Sequence, residues 1–192
     1  MTLDIIIVGV GGQGTLLASK IIGSAALEKG LDVKVSEVHG MAQRGGSVIT
    51  HVRLGKTIYS PLVSEGKADF VLAFEALEAG RGLPFLKKGG TFIVNTQKIM
   101  PMPVVSGVAA YPKNPYQEAF AVGKVEETDA LNLAQRLGNP RAVNMILLGK
   151  LARHLPWTKE DWHKAIEQSV KPHTLEVNLK AFNQGFDGGS KE

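Results

Sequence analysis

The run Leu3-Asp4-Ile5-Ile6-Ile7-Val8 is rich in β-branched residues and stops at a glycine-rich turn, Gly9-Val10-Gly11-Gly12-Gln13-Gly14. From Thr15 to Lys29 the pattern changes period. Leu17, Ile21 and Ala25 recur at four-residue spacing and Gly30 stands where a helix would be capped. Val33-Lys34-Val35-Ser36-Glu37 then reads as a second strand. Strand, glycine turn, helix, strand is a βαβ unit, and an unbroken apolar strand at its head implies a sheet buried on both faces. This combination constrains the fold more than any other feature of the chain.

Further along, Ser47 to Leu54 alternates as a strand. Gly55-Lys56 suggests a hairpin into Thr57-Ile58-Tyr59, and Phe70 to Phe74 is a short buried strand. Ala76 to Leu86 reads as a helix interrupted at Pro84, with Lys87-Lys88 at its solvated end. Thr91 to Asn95 reads as a strand. Prolines at 101, 103, 112 and 115 mark a long irregular connection. The last third is helical. Asp129 to Leu137 ends at Gly138, Asn139-Pro140 opens a helix reaching about His154, and Thr158-Lys159-Glu160-Asp161 is a capping box. Lys171-Pro172 is a break, and Leu175, Leu179 and Phe182 share one face of a final helix. The expectation is an α/β fold, a Rossmann-like three-layer sandwich with a mainly parallel sheet and a helical C-terminal third. Residues 1–186 are expected to form one domain and 187–192 a frayed tail.

Composition narrows the chemistry. The 192 residues include no cysteine, so no cysteine-ligated iron–sulfur cluster, zinc site or thiol nucleophile can reside in the chain. Net charge is +4 with no run of five basic residues, which argues against a nucleic-acid arm. The longest uncharged apolar stretch, Ile5 to Ser19, is cut by four glycines and is too short for a bilayer. It has neither the basic start nor the small-residue end of a signal peptide, so the cytoplasm is the expected location. The five histidines lack metal-ligand spacing, and no Gly-x-Ser-x-Gly elbow is present. Trp157, Trp162 and the stripe Val143, Met145 to Leu148 and Leu151 read as core or subunit contact.

Two loops carry the candidate site. Gly9, Gly11 and Gly14 match G-x-G-x-x-G between a strand and a helix. Without β-carbons such a backbone can approach a phosphate, and the following helix offers free N–H groups. The same glycines can equally serve close packing. Glu37, 23 residues after Gly14, lies where dinucleotide folds place a ribose-binding acid. The second loop follows that strand. In it His39 offers an imidazole and Arg44 a permanent cation beside Gly45 and Gly46, a set able to grip a carboxylate or phosphate. The candidate binding residues are Gly9, Gly11, Gly12, Gln13, Gly14, Glu37, His39, Arg44, Gly45 and Gly46.

The glycine loop, followed by Ser36-Glu37-Val38-His39-Gly40-Met41-Ala42-Gln43-Arg44-Gly45-Gly46, resembles the gamma subunit or domain of 2-oxoacid:ferredoxin oxidoreductases. Within that family it is most similar to the small (beta) subunit of the indolepyruvate branch. The resemblance runs on through Ile58-Tyr59-Ser60-Pro61, Ala68-Asp69, Phe74-Glu75, Asn139-Pro140-Arg141 and Asn178-Leu179-Lys180-Ala181-Phe182. Pyruvate-type members carry an acid two positions before the arginine, where this chain has Ala42, which favours the aryl-pyruvate branch. The resemblance implies CoA-dependent oxidative decarboxylation of a 2-oxo acid, with electrons passing to ferredoxin. It also implies a hetero-oligomer, because the chain lacks both a Gly-Asp-Gly…Asn-Asn thiamine diphosphate pattern and cluster cysteines. Thiamine diphosphate and the iron–sulfur clusters would then sit on a larger partner subunit, leaving this chain inactive alone, with CoA as co-substrate. The residues by themselves also permit a self-sufficient NAD(P)- or FAD-binding Rossmann oxidoreductase, an adenylating enzyme, or a scaffold in which the loop only packs.

Overall fold

The computed structural model describes residues 2–40 and 45–188. Six strands form one sheet: β1 (Leu3–Val10), β2 (Asp32–His39), β3 (Ser47–Gly55), β4 (Ala68–Ala73), β5 (Leu86–Asn95) and β6 (Lys124–Thr128), in spatial order β2-β3-β1-β4-β5-β6. β1, β4, β5 and β6 run parallel, while β3 is antiparallel to both of its neighbours. The mainly parallel sheet expected from sequence is therefore present.

Odd and even residues of β1 enter different cores. Ile5 and Ile7 face α1 (Thr15–Glu28), α5 (Ala130–Arg136), α6 (Val143–Ala152), α7 (Lys159–Glu167) and α8 (Leu175–Phe186). Ile6 and Val8 face α2 (Ala76–Gly82) and α4 (Ala119–Val122). A short α3 (Met102–Val105) lies in the connection after β5. Strand alternation thus places helices on both faces and makes the sandwich three layers deep. On the first face Trp162 and Phe182 are fully buried, and the Trp157 ring lies 5.1 Å from that of Trp162. α6 and α8 touch backbone to backbone: a β-carbon on Gly185 would lie 1.9 Å from the Ile146 carbonyl oxygen.

Several expectations need correction. β2 is parallel to β1, as a βαβ unit requires, but it is not β1's neighbour, because β3 lies between them. That insertion also removes the hairpin expected at 57–59. β3 pairs with β1 on one edge and β2 on the other, so no edge remains for a returning strand. The Ile58 N–H instead donates to Asp32 Oδ2 at 2.8 Å. Lys87 and Lys88 belong to β5 and not to a helix end, and Lys87 pairs with Asp69 at the start of β4. β6 escapes a hydrophobicity reading because Lys124, Glu126 and Glu127 occupy three of its five positions, which its place at the sheet edge allows.

The capping box is formed, with Thr158 Oγ1 accepting from the Asp161 N–H and Asp161 accepting from the Thr158 N–H. Asn139 caps the turn before α6, accepting from the Arg141 N–H at 3.1 Å.

Candidate functional site

Because β2 runs parallel to β1, the ends of β1, β2, β4, β5 and β6 and the start of β3 share one edge of the sheet. This is the edge at which open α/β sheets bind ligands. The glycine loop leaves β1 here, and its glycines serve different ends. A β-carbon on Gly9 would meet Phe74 and Thr15 at 3.1 Å, and one on Gly14 would meet the Asn144 side-chain nitrogen at 2.5 Å. Gly9 is glycine because its surroundings are full, and Gly14 both for that reason and for its φ of 86°. Gly12 has nothing within 4 Å of its would-be β-carbon, and its φ of 101° is what calls for glycine. Gly14 caps α1 at φ 86° with no side-chain bond, so the N–H groups of the first turn receive no side-chain cap. The Gln13 amide is turned inward. It accepts from the Val10 N–H at 2.8 Å and donates to the Phe74 carbonyl at 3.1 Å, locking the loop to the end of β4.

The second loop closes beside the first. Gly11 N–H donates to the Gly46 carbonyl at 2.8 Å and Gly45 N–H to the Gly11 carbonyl at 3.3 Å, which carries the β1–β3 ladder past the strand ends. Glu37 and His39, at the end of β2, join Gly11, Gly12, Gly14 and Thr15 around a cleft of about 380 Å³. Glu37 accepts from Thr50 Oγ1 at 3.3 Å, and His39 Nδ1 lies 3.2 Å from the Gly40 carbonyl. Of the ten candidate residues, Gly11, Gly12, Gly14, Glu37 and His39 line this cleft. Gly45 and Gly46 brace it through backbone bonds, and Gly9 and Gln13 support it from beneath. Arg44, like Met41 to Gln43, lies outside the described residues.

Glu75, beside this loop at the end of β4, has a structural role that sequence reasoning missed. It is 1% exposed. Its Oε2 accepts from the Leu77 and Glu78 N–H groups at 2.6 and 2.9 Å, capping α2. Its Oε1 accepts from the Ile99 N–H at 2.9 Å and the Tyr111 hydroxyl at 2.6 Å. Burial, and then this bond, push the Tyr111 hydroxyl well above its ordinary pKa. Asn95 donates to the same Phe74 carbonyl that Gln13 holds, at 3.0 Å. The dipeptide Phe74-Glu75 thus joins the glycine loop to the segment after β5. Its sequence signals are its place in the Phe74-Glu75 pair of the family resemblance and an acid at a strand end just before a helix. Among the described residues no group of three or more acids and histidines gathers as a metal site. No helix among them is long and apolar enough to cross a membrane.

At the opposite edge lies a more apolar cleft of about 460 Å³. Its acid, Asp69, is already engaged by the Asp4 N–H and Lys87, so it offers a ligand no open carboxylate. The polar cleft at the glycine loop is the better candidate.

The family described as pyruvate ferredoxin/flavodoxin oxidoreductase matches residues 4–188. The chain is 44% identical to indolepyruvate oxidoreductase subunit IorB of Thermococcus kodakarensis over 189 residues, 95% of this chain and 93% of that one. It is equally similar, over the same shares, to the Pyrococcus horikoshii subunit of that name. Among solved structures it matches the gamma subunit of a keto/oxoacid ferredoxin oxidoreductase from Geobacter sulfurreducens. That match has a TM-score of 0.72 and 26% identity, and covers 97% of this chain and 98% of that one. These matches overturn the alternative of a self-sufficient NAD(P)- or FAD-binding enzyme, which the separation of β1 from β2 by β3 also disfavours. With its fold and nearly its whole length matched, the chain belongs to the pyruvate ferredoxin/flavodoxin oxidoreductase family.

Proposed function

We propose that this chain is the small subunit of an indolepyruvate-type 2-oxoacid:ferredoxin oxidoreductase, acting in the cytoplasm with residues 1–186 as one functional unit. The observation that carries the reading is near full-length identity of 44% to a named indolepyruvate oxidoreductase subunit, in a chain with no cysteine. Without cysteine it cannot hold a cysteine-ligated cluster. Thiamine diphosphate and the clusters belong on a larger partner subunit. There thiamine diphosphate supplies the carbanion chemistry of decarboxylation, and electrons leave through the clusters to ferredoxin.

This chain's part is to frame the approach of CoA. The uncapped first turn of α1, Gly12 and His39 offer donors to the anionic phosphates, and Arg44 adds a fixed cation from the second loop. Glu37 repels a phosphate but accepts from a ribose hydroxyl, so it sets which end of the nucleotide faces β2. Each exposed contact of this kind contributes on the order of 0.3–1 kcal/mol.

The test is oxidation of indolepyruvate with CoA and a viologen acceptor. Activity is expected only when this chain and the large subunit are combined, and turnover by the lone chain would refute the division of labour. Arg44→Ala in the assembled enzyme is expected to raise the apparent KM for CoA severalfold. An unchanged KM would remove Arg44 from the CoA site.

A further inference from the structure

Between β5 and α4 the chain makes an excursion whose two ends are held by one oxygen. Glu75 Oε1 accepts from the Ile99 N–H at 2.9 Å and from the Tyr111 hydroxyl at 2.6 Å. Between these anchors no residue from Met100 to Ala110 is buried, and none belongs to either core cluster. The arm is nonetheless ordered from within. The Val104 and Val105 N–H groups both donate to the Pro101 carbonyl at 2.9 and 3.0 Å. The Ser106 N–H donates to Met102 at 2.9 Å, and the Ala109 N–H to Pro103 at 3.0 Å. Pro101, Pro103 and Pro112 stiffen it further.

What the arm displays is apolar. Met102 is 73% exposed, Val105 65% and Val108 82%, with Met100 half-exposed beside them. A stiff segment that shows four apolar side chains to solvent does little for the fold of its own chain. It is already organised for contact with another protein, so little entropy is lost on docking.

Charge indicates the kind of surface it meets. From Lys98 to Lys113 the sequence holds those two lysines and no acid. Neither lysine is paired with a carboxylate among the described residues. Both line a cleft of about 380 Å³ at the base of the arm, next to the exposed ring of Phe120. The one acid in that cleft, Glu127, is held by the Tyr116 hydroxyl at 2.8 Å.

We propose that residues 99–111 form a docking arm that seats Met102, Val105 and Val108 in an apolar groove of the large companion subunit, whose rim carboxylates meet Lys98 and Lys113. This rests on the reading of the chain as one subunit of an oxidoreductase. It adds the place and the chemistry of the contact. Because Glu75 follows Phe74, whose carbonyl is held by Gln13, the arm is anchored on the same dipeptide as the glycine loop. Docking would therefore steady the cleft as well as hold the two subunits together.

The experiment is capture of this chain by its tagged large subunit after co-expression, with affinity measured between the two purified proteins. The double substitution Met102→Asp with Val105→Asp is expected to weaken association at least about tenfold, in keeping with the loss of apolar anchors at the centre of an interface. The melting temperature of the isolated chain should stay unchanged, since neither side chain is buried. Lys98→Glu with Lys113→Glu, a second and independent variant, is expected to weaken association and to flatten its salt dependence. Retention of the large subunit at full affinity by both variants would overturn the arm while leaving the subunit reading intact. A lone chain that self-associates through the arm, with large-subunit capture untouched by the substitutions, would also overturn it. Failure of even the unsubstituted chain to hold the large subunit would overturn the subunit reading, and the arm with it.

Discussion

At the crossing of α6 and α8 two helices meet with no side chain between them. A β-carbon on Gly149 would lie 2.2 Å from the Phe182 carbonyl oxygen, and one on Gly185 would lie 1.9 Å from that of Ile146. At Gly12, in the loop after β1, the space around the same imaginary atom is empty. Both are glycines, and the sequence writes them alike. The first kind is fixed by contact with the chain's own backbone. The second is fixed by backbone conformation and faces a cleft. Packing therefore fills one face of the sheet completely and stops at the strand ends, where the chain leaves donors and space unused. The helical third builds stability and the loop edge is kept for something else. If that contrast is right, substitutions at the two places fail in different ways.

The largest effect is expected at the crossing. Gly185→Ala places a methyl group on the Ile146 backbone carbonyl, which cannot rotate away, so α6 and α8 must separate. Overpacking of this kind costs about 3 kcal/mol and sometimes more. Denaturant unfolding measures it directly, and a loss below about 1 kcal/mol would mean that α6 and α8 slide apart freely and that the two regions differ less than the contacts imply.

Gly14 has both characters at once. Its β-carbon would meet the Asn144 side-chain nitrogen at 2.5 Å, and its φ is 86°. Gly14→Ala is expected to cost about 2–3 kcal/mol, summing a clash with a side chain and a left-handed alanine. Asn144→Ala in the same chain should recover the clash and leave the conformational share of roughly 1 kcal/mol. Full recovery would show that only packing requires glycine here; no recovery would show that only the backbone does.

How much of this contrast could be read beforehand depends on how local each signal is. The glycine loop, the helix after it, the Asn139 turn and the Thr158 box each rest on residues within a few positions of one another, and each is present. The place of β3 between β1 and β2 depends on pairings across the chain, and no short pattern carries it. Glu75 shows the same limit inside the site. Two of its donors, Leu77 and Glu78, are near in sequence, but Ile99 and Tyr111 lie 24 and 36 residues away. The motif also could not separate Gly9 and Gly14, which are crowded, from Gly12, which is open, because one letter describes both. The loop's sequence puts Gln13 among the candidate binding residues. Its amide instead bonds to Val10 and Phe74, a geometry that only the end of β4 supplies.

Gly12→Ala sharpens the open side of the comparison. Its stability cost is expected to be about 1 kcal/mol, from φ alone. Its effect on ligand should be larger than that cost suggests, because the new methyl group enters the cleft. The thermal shift produced by CoA in the assembled enzyme is expected to shrink markedly, while Gly185→Ala, destabilising as it is, should leave the shift nearly intact. Equal losses for the two variants would erase the distinction.

The smallest effect tests the sheet's other buried face, the one beneath α2, with protons instead of methyl groups. His51, in β3, is buried with its ring edge-on to Phe85, and its Nδ1 accepts from the Val63 N–H at 3.1 Å. That bond places the ring proton on Nε2 and suits only the neutral imidazole, and burial holds the group's pKa below its ordinary value. The unfolded chain takes up the proton near pH 6.5 and the folded chain only below that. The unfolded state therefore binds more protons between the two values. The stability owed to neutral His51 is complete above about pH 6.5 and is lost as pH falls through the lower, folded pKa. His51→Gln, an uncharged acceptor of similar reach, should remove that part of the slope. The difference in urea midpoint between the two proteins is then expected to be greater at pH 7.5 than at pH 5. A difference independent of pH would mean that His51 titrates alike in the folded and unfolded chain, and that the α2 face admits water where its packing says it does not.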